Sequence, residues 1–463
     1  MFDPTRATLS GISAALDDGR TSAGELLDAC LDRIDRFNPK LNCFIDIDRS
    51  AAALAAAATD ARLADGGRLG PLDGVPVAVK TNIAVRGLPV SAGIKARAEM
   101  KAIDDAFVVT RLRTAGAVIV GTLNMEEGAL GATTNNPWYG ACYNPYGDNL
   151  TPGGSSGGSG AAVAAGLVPA ALGTDTMGSV RIPSAYCGVA GIKPSRGIVS
   201  TDGVVPLSWT LDTVGPLARS ARDLGVLLEV MVGTNPEDAD SVAAPYPSYQ
   251  VADATSLTGM TVGRIREIDS YDGMAEEVRG AYLDALRLME RLGAAVRQVS
   301  LRGYDLGVVR RAGLMVSEAE GALFHDRLLA SDPDGFSGGF RAMLEYGGKA
   351  PAVRLVAAQR RIAEAALAVR RAFDGVDVLV LPTTPSAAFS FDDPAPDSQA
   401  DFTALANVAG LPAVSVPMGL GETTHLPIGL QVVAPMFREK AALTVAVAYE
   451  QAAGWTLFPE ALD

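Results

Sequence analysis

Histidine is almost missing from this chain: of 463 residues, only His325 and His425 carry an imidazole. A serine hydrolase that takes its base from histidine therefore has two candidates, which is few but still enough for one triad. Cysteine is scarce too. Cys30, Cys43, Cys142 and Cys187 show neither CxxC nor any metal-ligand spacing. A Cys30–Cys43 bridge is conceivable, but the expectation is four reduced, mostly buried thiols in a cytoplasmic protein. No run of five basic residues occurs, and 53 acidic against 39 basic side chains leave a net charge of −14. That balance suits solubility and argues against a direct nucleic-acid surface, which needs a basic stripe. Long apolar runs are also lacking. The most apolar stretch, "GAAVAAGLVPAALG" from Gly160, is too short to span a bilayer and contains Pro169. The first twenty residues lack the basic start and apolar run of a signal peptide. A soluble cytoplasmic protein with no membrane partner is expected.

What the chain does have is core material. It is 48% hydrophobic and 20% charged, with 50 glycines and 27 prolines that imply many tight turns. "SAGELLDACLDRIDRFNPK" starts with a capping box, Ser22 and Glu25, and aligns Leu26, Cys30, Leu31 and Ile34 on one helical face, with Pro39 expected to end it. A second helix is expected from Ser50. "GVPVAVKTNIAV" reads as a buried strand that delivers Lys80 at its end. "DDAFVVTRLRTAGAVIVG" gives a helix, a glycine stop at Gly116, and a strand. Strands are also expected at 377–385, 412–419 and 428–435, with a closing helix at 438–453. Such alternation predicts an α/β fold, a mixed and mostly buried sheet covered by helices. One domain over 1–463 is the simplest organisation. Its sections are N-terminal helices (1–65), a core (66–220), a helical section (221–375), and closing strands with a helix (376–463).

The stretch "TPGGSSGGSGAAVAAG" at 151–166 places five glycines and three serines between Gly153 and Gly160. Its apolar continuation rules against an exposed linker. Neither GxxxxGK[ST] nor GxGxxG is present, so a phosphate cradle has no support. GxSxG occurs twice, centred on Ser155 and Ser156. A nucleophile elbow should follow a strand, however, and "NPYGDNLTPGG" is a poor one. A lysine kept neutral by burial is another way to activate a serine, and Lys80 interrupts an apolar segment. Taken alone, Lys80 also fits a lysine at a strand's exit into solvent.

Three segments together resemble the amidase signature family: "GVPVAVKTNI" around Lys80, "TPGGSSGGSGAAVAAG" around Ser155, and "ALGTDTMGSVRIPSAYCGVAGIKPSRG" around Ser179. "LDTVGPLARS", "LPTTP" and "NVAGLPAVSVP" with "LPIGLQVV" extend the likeness to nearly the full chain. The resemblance implies the family's fold and a serine–cis-serine–lysine triad. Ser179 would be the nucleophile, Ser155 the bridging serine after a cis peptide, and Lys80 the base. It also implies an oxyanion hole from the backbone N–H groups of Thr176, Met177, Gly178 and Ser179. Ser156 would be a hydrogen-bonding neighbour, and Asp175 with Arg181 a structural ion pair or loop clamp. Met177 departs from the glycine usual there. The function implied is hydrolysis of a small carboxamide through an acyl-enzyme, without cofactor or metal. The alternatives are a glutaminase subunit of a tRNA-dependent amidotransferase, a biuret- or allophanate-type hydrolase, and a non-catalytic scaffold. Trp138, Tyr139, Phe324, Phe336 and Phe340 are candidates for pocket walls or for ordinary core. A homodimer is a common outcome for such enzymes.

Overall fold

In a computed structural model, described over residues 3–245 and 248–462, strands drawn from nearly the whole chain meet in one sheet. In chain order these are β1 (Phe44–Ile47), β2 (Pro76–Lys80), β3 (Val118–Leu123), β4 (Ala170–Thr174), β5 (Ala190–Lys193) and β6 (Val214–Ala218). They continue with β7 (Thr261–Ile265), β8 (Ala295–Val299), β9 (Val378–Pro382), β10 (Ala413–Leu420) and β11 (Pro427–Val433). Their order across the sheet is β1-β3-β2-β4-β6-β5-β10-β11-β9-β7-β8. Parallel pairs join β2 to β3 and β4, and β7 to β8 and β9; the central strands pair antiparallel. The sheet is mixed, as the alternating pattern predicts. β4, β6 and β11 are buried along their whole length, because helices cover both faces.

Two local readings need correction. The helix Ala23–Leu41 runs past Pro39 and stops two residues later, where Asn42 adopts a left-handed conformation (φ 52°) and donates back to the Asn38 carbonyl. The section 221–375 is not purely helical, since it supplies β7 and the edge strand β8. Every residue of β8 is exposed or half-buried, and its sequence "AVRQV" carries no apolar run to announce it.

The fold positions the site in two steps. β2 and β4 are adjacent and parallel, so Lys80 and Thr174 finish neighbouring strands at the same edge, where α/β sheets bind ligands. Two short helices, Gly157–Ala164 and Arg181–Tyr186, then pack against each other entirely inside the protein. Gly160 allows this approach: a Cβ there would sit 2.9 Å from both the Cβ and the carbonyl oxygen of Pro183. The loops leading into these helices carry Ser155 and Ser179, so the close crossing brings the two serines to the edge where Lys80 ends.

Candidate active site

Lys80 is fully buried, and its Nζ lies 2.7 Å from Ser155 Oγ and 2.8 Å from Thr174 Oγ1. Asn82 Nδ2 donates to the same threonine hydroxyl at 3.2 Å. Burial lowers the Lys80 ammonium to about 7; Asp212, Asp175 and Glu126, the opposing charges around it, hold it up only in part. A lysine with that value is half neutral at pH 7 and can take a proton as well as give one.

The peptide bond Gly154–Ser155 is cis. The Ser155 carbonyl accepts from Glu126 N at 3.1 Å. Ser156 ties the two serine loops together: its N–H donates to the Ser179 carbonyl at 3.2 Å, and its Oγ donates to Thr174 O at 3.1 Å. No strand precedes this stretch, which is not the geometry of a nucleophile elbow. Ser179 is the most exposed of the three expected triad residues, at 8%, and its hydroxyl makes no hydrogen bond among the described residues.

Asp175 and Arg181 form a buried clamp beneath the Ser179 loop. The guanidinium meets the carboxylate through Nε at 3.0 Å and Nη2 at 2.9 Å, with both side chains wholly enclosed. Its remaining contacts reach Thr403 O, Asn407 Oδ1 and Gln431 Oε1, so it has no face left for a substrate. Burial pushes the Asp175 carboxyl up, but Arg181 and Asn407 outweigh it and hold the group at about 2.

The backbone donors differ from expectation at Gly178. Its N–H is committed to Asp175 Oδ1 at 2.7 Å, leaving those of Thr176, Met177 and Ser179 undonated among the described residues. Gly178 itself takes φ +134°, and a Cβ there would overlap the Thr403 hydroxyl, so glycine is required. The Thr176 hydroxyl donates to Asp212 Oδ1 at 2.6 Å, and burial raises that carboxyl to about 6. Met177 packs with Leu211, Leu314, Ala400 and Ala404 in a small apolar cluster. A cleft of about 490 Å³ is lined by Leu314 together with Arg310, Arg311, Tyr346 and Arg354, and by none of Lys80, Ser155 or Ser179.

Thr174, Asp212, Asn82 and Glu126 are site residues that sequence reasoning misses. Thr174 carries a usable signal: like Lys80, it is a polar residue that finishes an apolar strand. The histidines lie elsewhere. His325 sits among Phe324, Phe336 and Phe340, and burial lowers it to about 4. His425 occupies a turn at φ 55°. Neither bonds to Ser155, Ser156 or Ser179 among the described residues. Of the aromatic candidates, Phe336 and Phe340 belong to a separate core cluster, and Phe324 is largely at the surface. Trp138 donates to Glu127 Oε1 at 2.8 Å, and the Tyr139 carbonyl accepts from Asn42. Among the described residues, no helix is long and apolar enough to cross a membrane.

Comparison with known proteins identifies the family. Over 482 aligned residues the chain is 38% identical to the A subunit of the glutamyl-tRNA(Gln) amidotransferase of Methylococcus capsulatus, with 97% of this chain and 98% of that one covered. Among solved structures it resembles a chain from a vestigial protein complex that bears on the evolutionary origins of an s-triazine catabolic enzyme. That match has a TM-score of 0.89 at 32% identity, over 96% of this chain and 98% of the other. The peptide amidase of Stenotrophomonas maltophilia matches with a TM-score of 0.86 at 29% identity, over 98% of each chain. The family model described as Amidase matches residues 25–443, and the chain belongs to the amidase signature family, hydrolases acting on amide C–N bonds.

Proposed function

We propose that this chain hydrolyses a small carboxamide through an acyl-enzyme on Ser179, with Ser155 and Lys80 as its proton relay. The observation that carries the reading is the fully buried Lys80, lowered to about 7 and 2.7 Å from Ser155 Oγ. Neutral Lys80 takes the Ser155 proton as Ser155 takes that of Ser179. Ser179 Oγ attacks the carbonyl carbon, and the developing oxyanion meets the N–H groups of Thr176, Met177 and Ser179. The relay then reverses: Ser155 gives a proton to the leaving nitrogen, the C–N bond breaks, and ammonia or an amine departs. Water, deprotonated along the same path, attacks the ester and frees the carboxylic acid.

The neighbourhood of Ser179 favours an apolar acyl group over an amino acid. Leu211, Leu314, Ala400 and Ala404 gather around Met177, two residues before Ser179 on the same loop, while Arg181 is consumed by internal partners and Arg310 pairs with Asp401 at 2.6 Å. A glutamine substrate would bring an ammonium and a carboxylate that need charged partners. The second reading, a glutaminase subunit, rests on the full-length likeness to the amidotransferase relative. Ammonia release tests both, against glutamine, short aliphatic amides, aryl amides and biuret, with Ser179→Ala alongside. Turnover of aliphatic amides that vanishes in Ser179→Ala supports the proposal. Turnover of glutamine alone supports the second reading, and activity that survives Ser179→Ala refutes both.

A further inference from the structure

Gly313 lies inside the helix Leu306–Ser331, about two turns from its start, where glycine is a poor helix former compared with alanine. Its backbone there is one that any residue adopts, so space rather than conformation calls for glycine. What fills that space is Met177. A methyl group on Gly313 would overlap the Met177 sulfur and would lie 3.7 Å from its Cγ and 3.8 Å from Leu211 Cδ1. The thioether is thus seated in a notch cut for it in a helix more than a hundred residues away in sequence.

The backbone of Met177 is fixed on both sides. Its carbonyl accepts from Thr403 Oγ1 at 2.6 Å, and the next residue, Gly178, is anchored to Asp175. From this fixed main chain the side chain extends onto the apolar patch of Leu211, Leu314, Ala400 and Ala404. Along the loop from Asp175 to Val180, Met177 (9%) and Ser179 (8%) are the two most exposed side chains; Asp175, Thr176 and Val180 are at 3% or less. Ser179 lies two residues beyond Met177 on this loop.

We propose that Met177, seated against Gly313, is the wall that sets the width of the acyl subsite beside Ser179. It admits carboxamides with slim, unbranched apolar acyl chains and refuses α-branched and aryl acyl groups. The inference rests on the amide-hydrolase reading given above. An unbranched, flexible thioether suits this use, since it fills an irregular notch without polar demands. In an apolar pocket, each methylene accepted or refused changes kcat/KM by about 10–200-fold.

The test measures kcat/KM on propionamide, isobutyramide and benzamide for the wild type, Met177→Ala, Gly313→Ala and the double variant. Met177→Ala should raise the benzamide-to-propionamide ratio at least tenfold. Gly313→Ala should push the thioether into the subsite and lower kcat/KM at least tenfold even for propionamide, and the added Met177→Ala should restore it. An unchanged acyl profile in Met177→Ala overturns the inference, as does a Gly313→Ala defect that the double variant fails to relieve. If Gly313→Ala does not fold, as judged by circular dichroism, the Met177→Ala ratio decides alone. Ser179→Ala on the same amides separates the two failures. If it is inactive while Met177→Ala leaves the profile unchanged, the wall is lost and the hydrolase stands. If it is active, the hydrolase reading itself is lost.

Discussion

Lowering Lys80 from 10.5 to about 7 raises its neutral fraction at pH 7 from about 1 in 3,000 to about one half. That gain is the main reason a lysine can serve as the base here, and it fixes the pH dependence. In the proposed relay the active form is the deprotonated amine, so kcat/KM should rise with pH through about 7 and fall about tenfold per pH unit below it. A lysine at its ordinary value would put the same limb above pH 10. Asp212 is the largest opposing charge, so Asp212→Asn should let the lysine drop further and move the limb to lower pH. Lys80→Ala should cost at least about 10²–10⁴-fold in kcat/KM and abolish the limb. The assay is initial-rate ammonia release on an aliphatic amide from pH 5 to 10 under constant ionic strength. A profile flat down to pH 5, or a limb above pH 9, would refute the argument from burial.

Thr174→Val removes the second partner of Lys80 and should lower kcat up to about tenfold with KM unchanged, read by steady-state kinetics. Arg181→Met leaves the Asp175 carboxylate enclosed without its cation and should destabilise the fold by about 3–5 kcal/mol in urea unfolding; a loss under about 1 kcal/mol would contradict the clamp. All four cysteines are buried, and burial pushes Cys30 up to about 12 and raises Cys43 and Cys187. Ellman's reagent should therefore find no fast-reacting thiol in the native protein and four in denaturant.

The parts legible in the sequence share a physical cause. β2, β9, β10 and β11 are largely buried on both faces, so each appears as a mainly apolar run, interrupted only by Ser415 in β10 and Gln431 in β11 and ended by Lys80 in β2. Lys80 stands out because a charge at the end of such a run needs a reason. The serines become interpretable only when their three segments are taken together, since glycine and serine alone serve several purposes. β8 stays hidden because an edge strand with arginine and glutamine exposed looks like loop. Pro39 misleads because a proline in the last turn leaves the preceding hydrogen bonds of that helix intact. The commitment of the Gly178 N–H to Asp175 is out of reach for a different reason: it depends on where a carboxylate three residues earlier turns back, and sequence pattern does not encode that. The notch at Gly313 is likewise a meeting of distant residues, and no periodicity marks it.

The central claim is that Ser179, activated through Ser155 and Lys80, forms the covalent intermediate. A fluorophosphonate probe followed by peptide mass mapping tests it most directly, because such probes label the serine that attacks. The account predicts a single adduct on the peptide carrying Ser179, formed at least about a hundredfold more slowly in Lys80→Ala. Labelling of Ser155 or Ser156 instead, or a Ser179 adduct whose rate ignores Lys80, would contradict it.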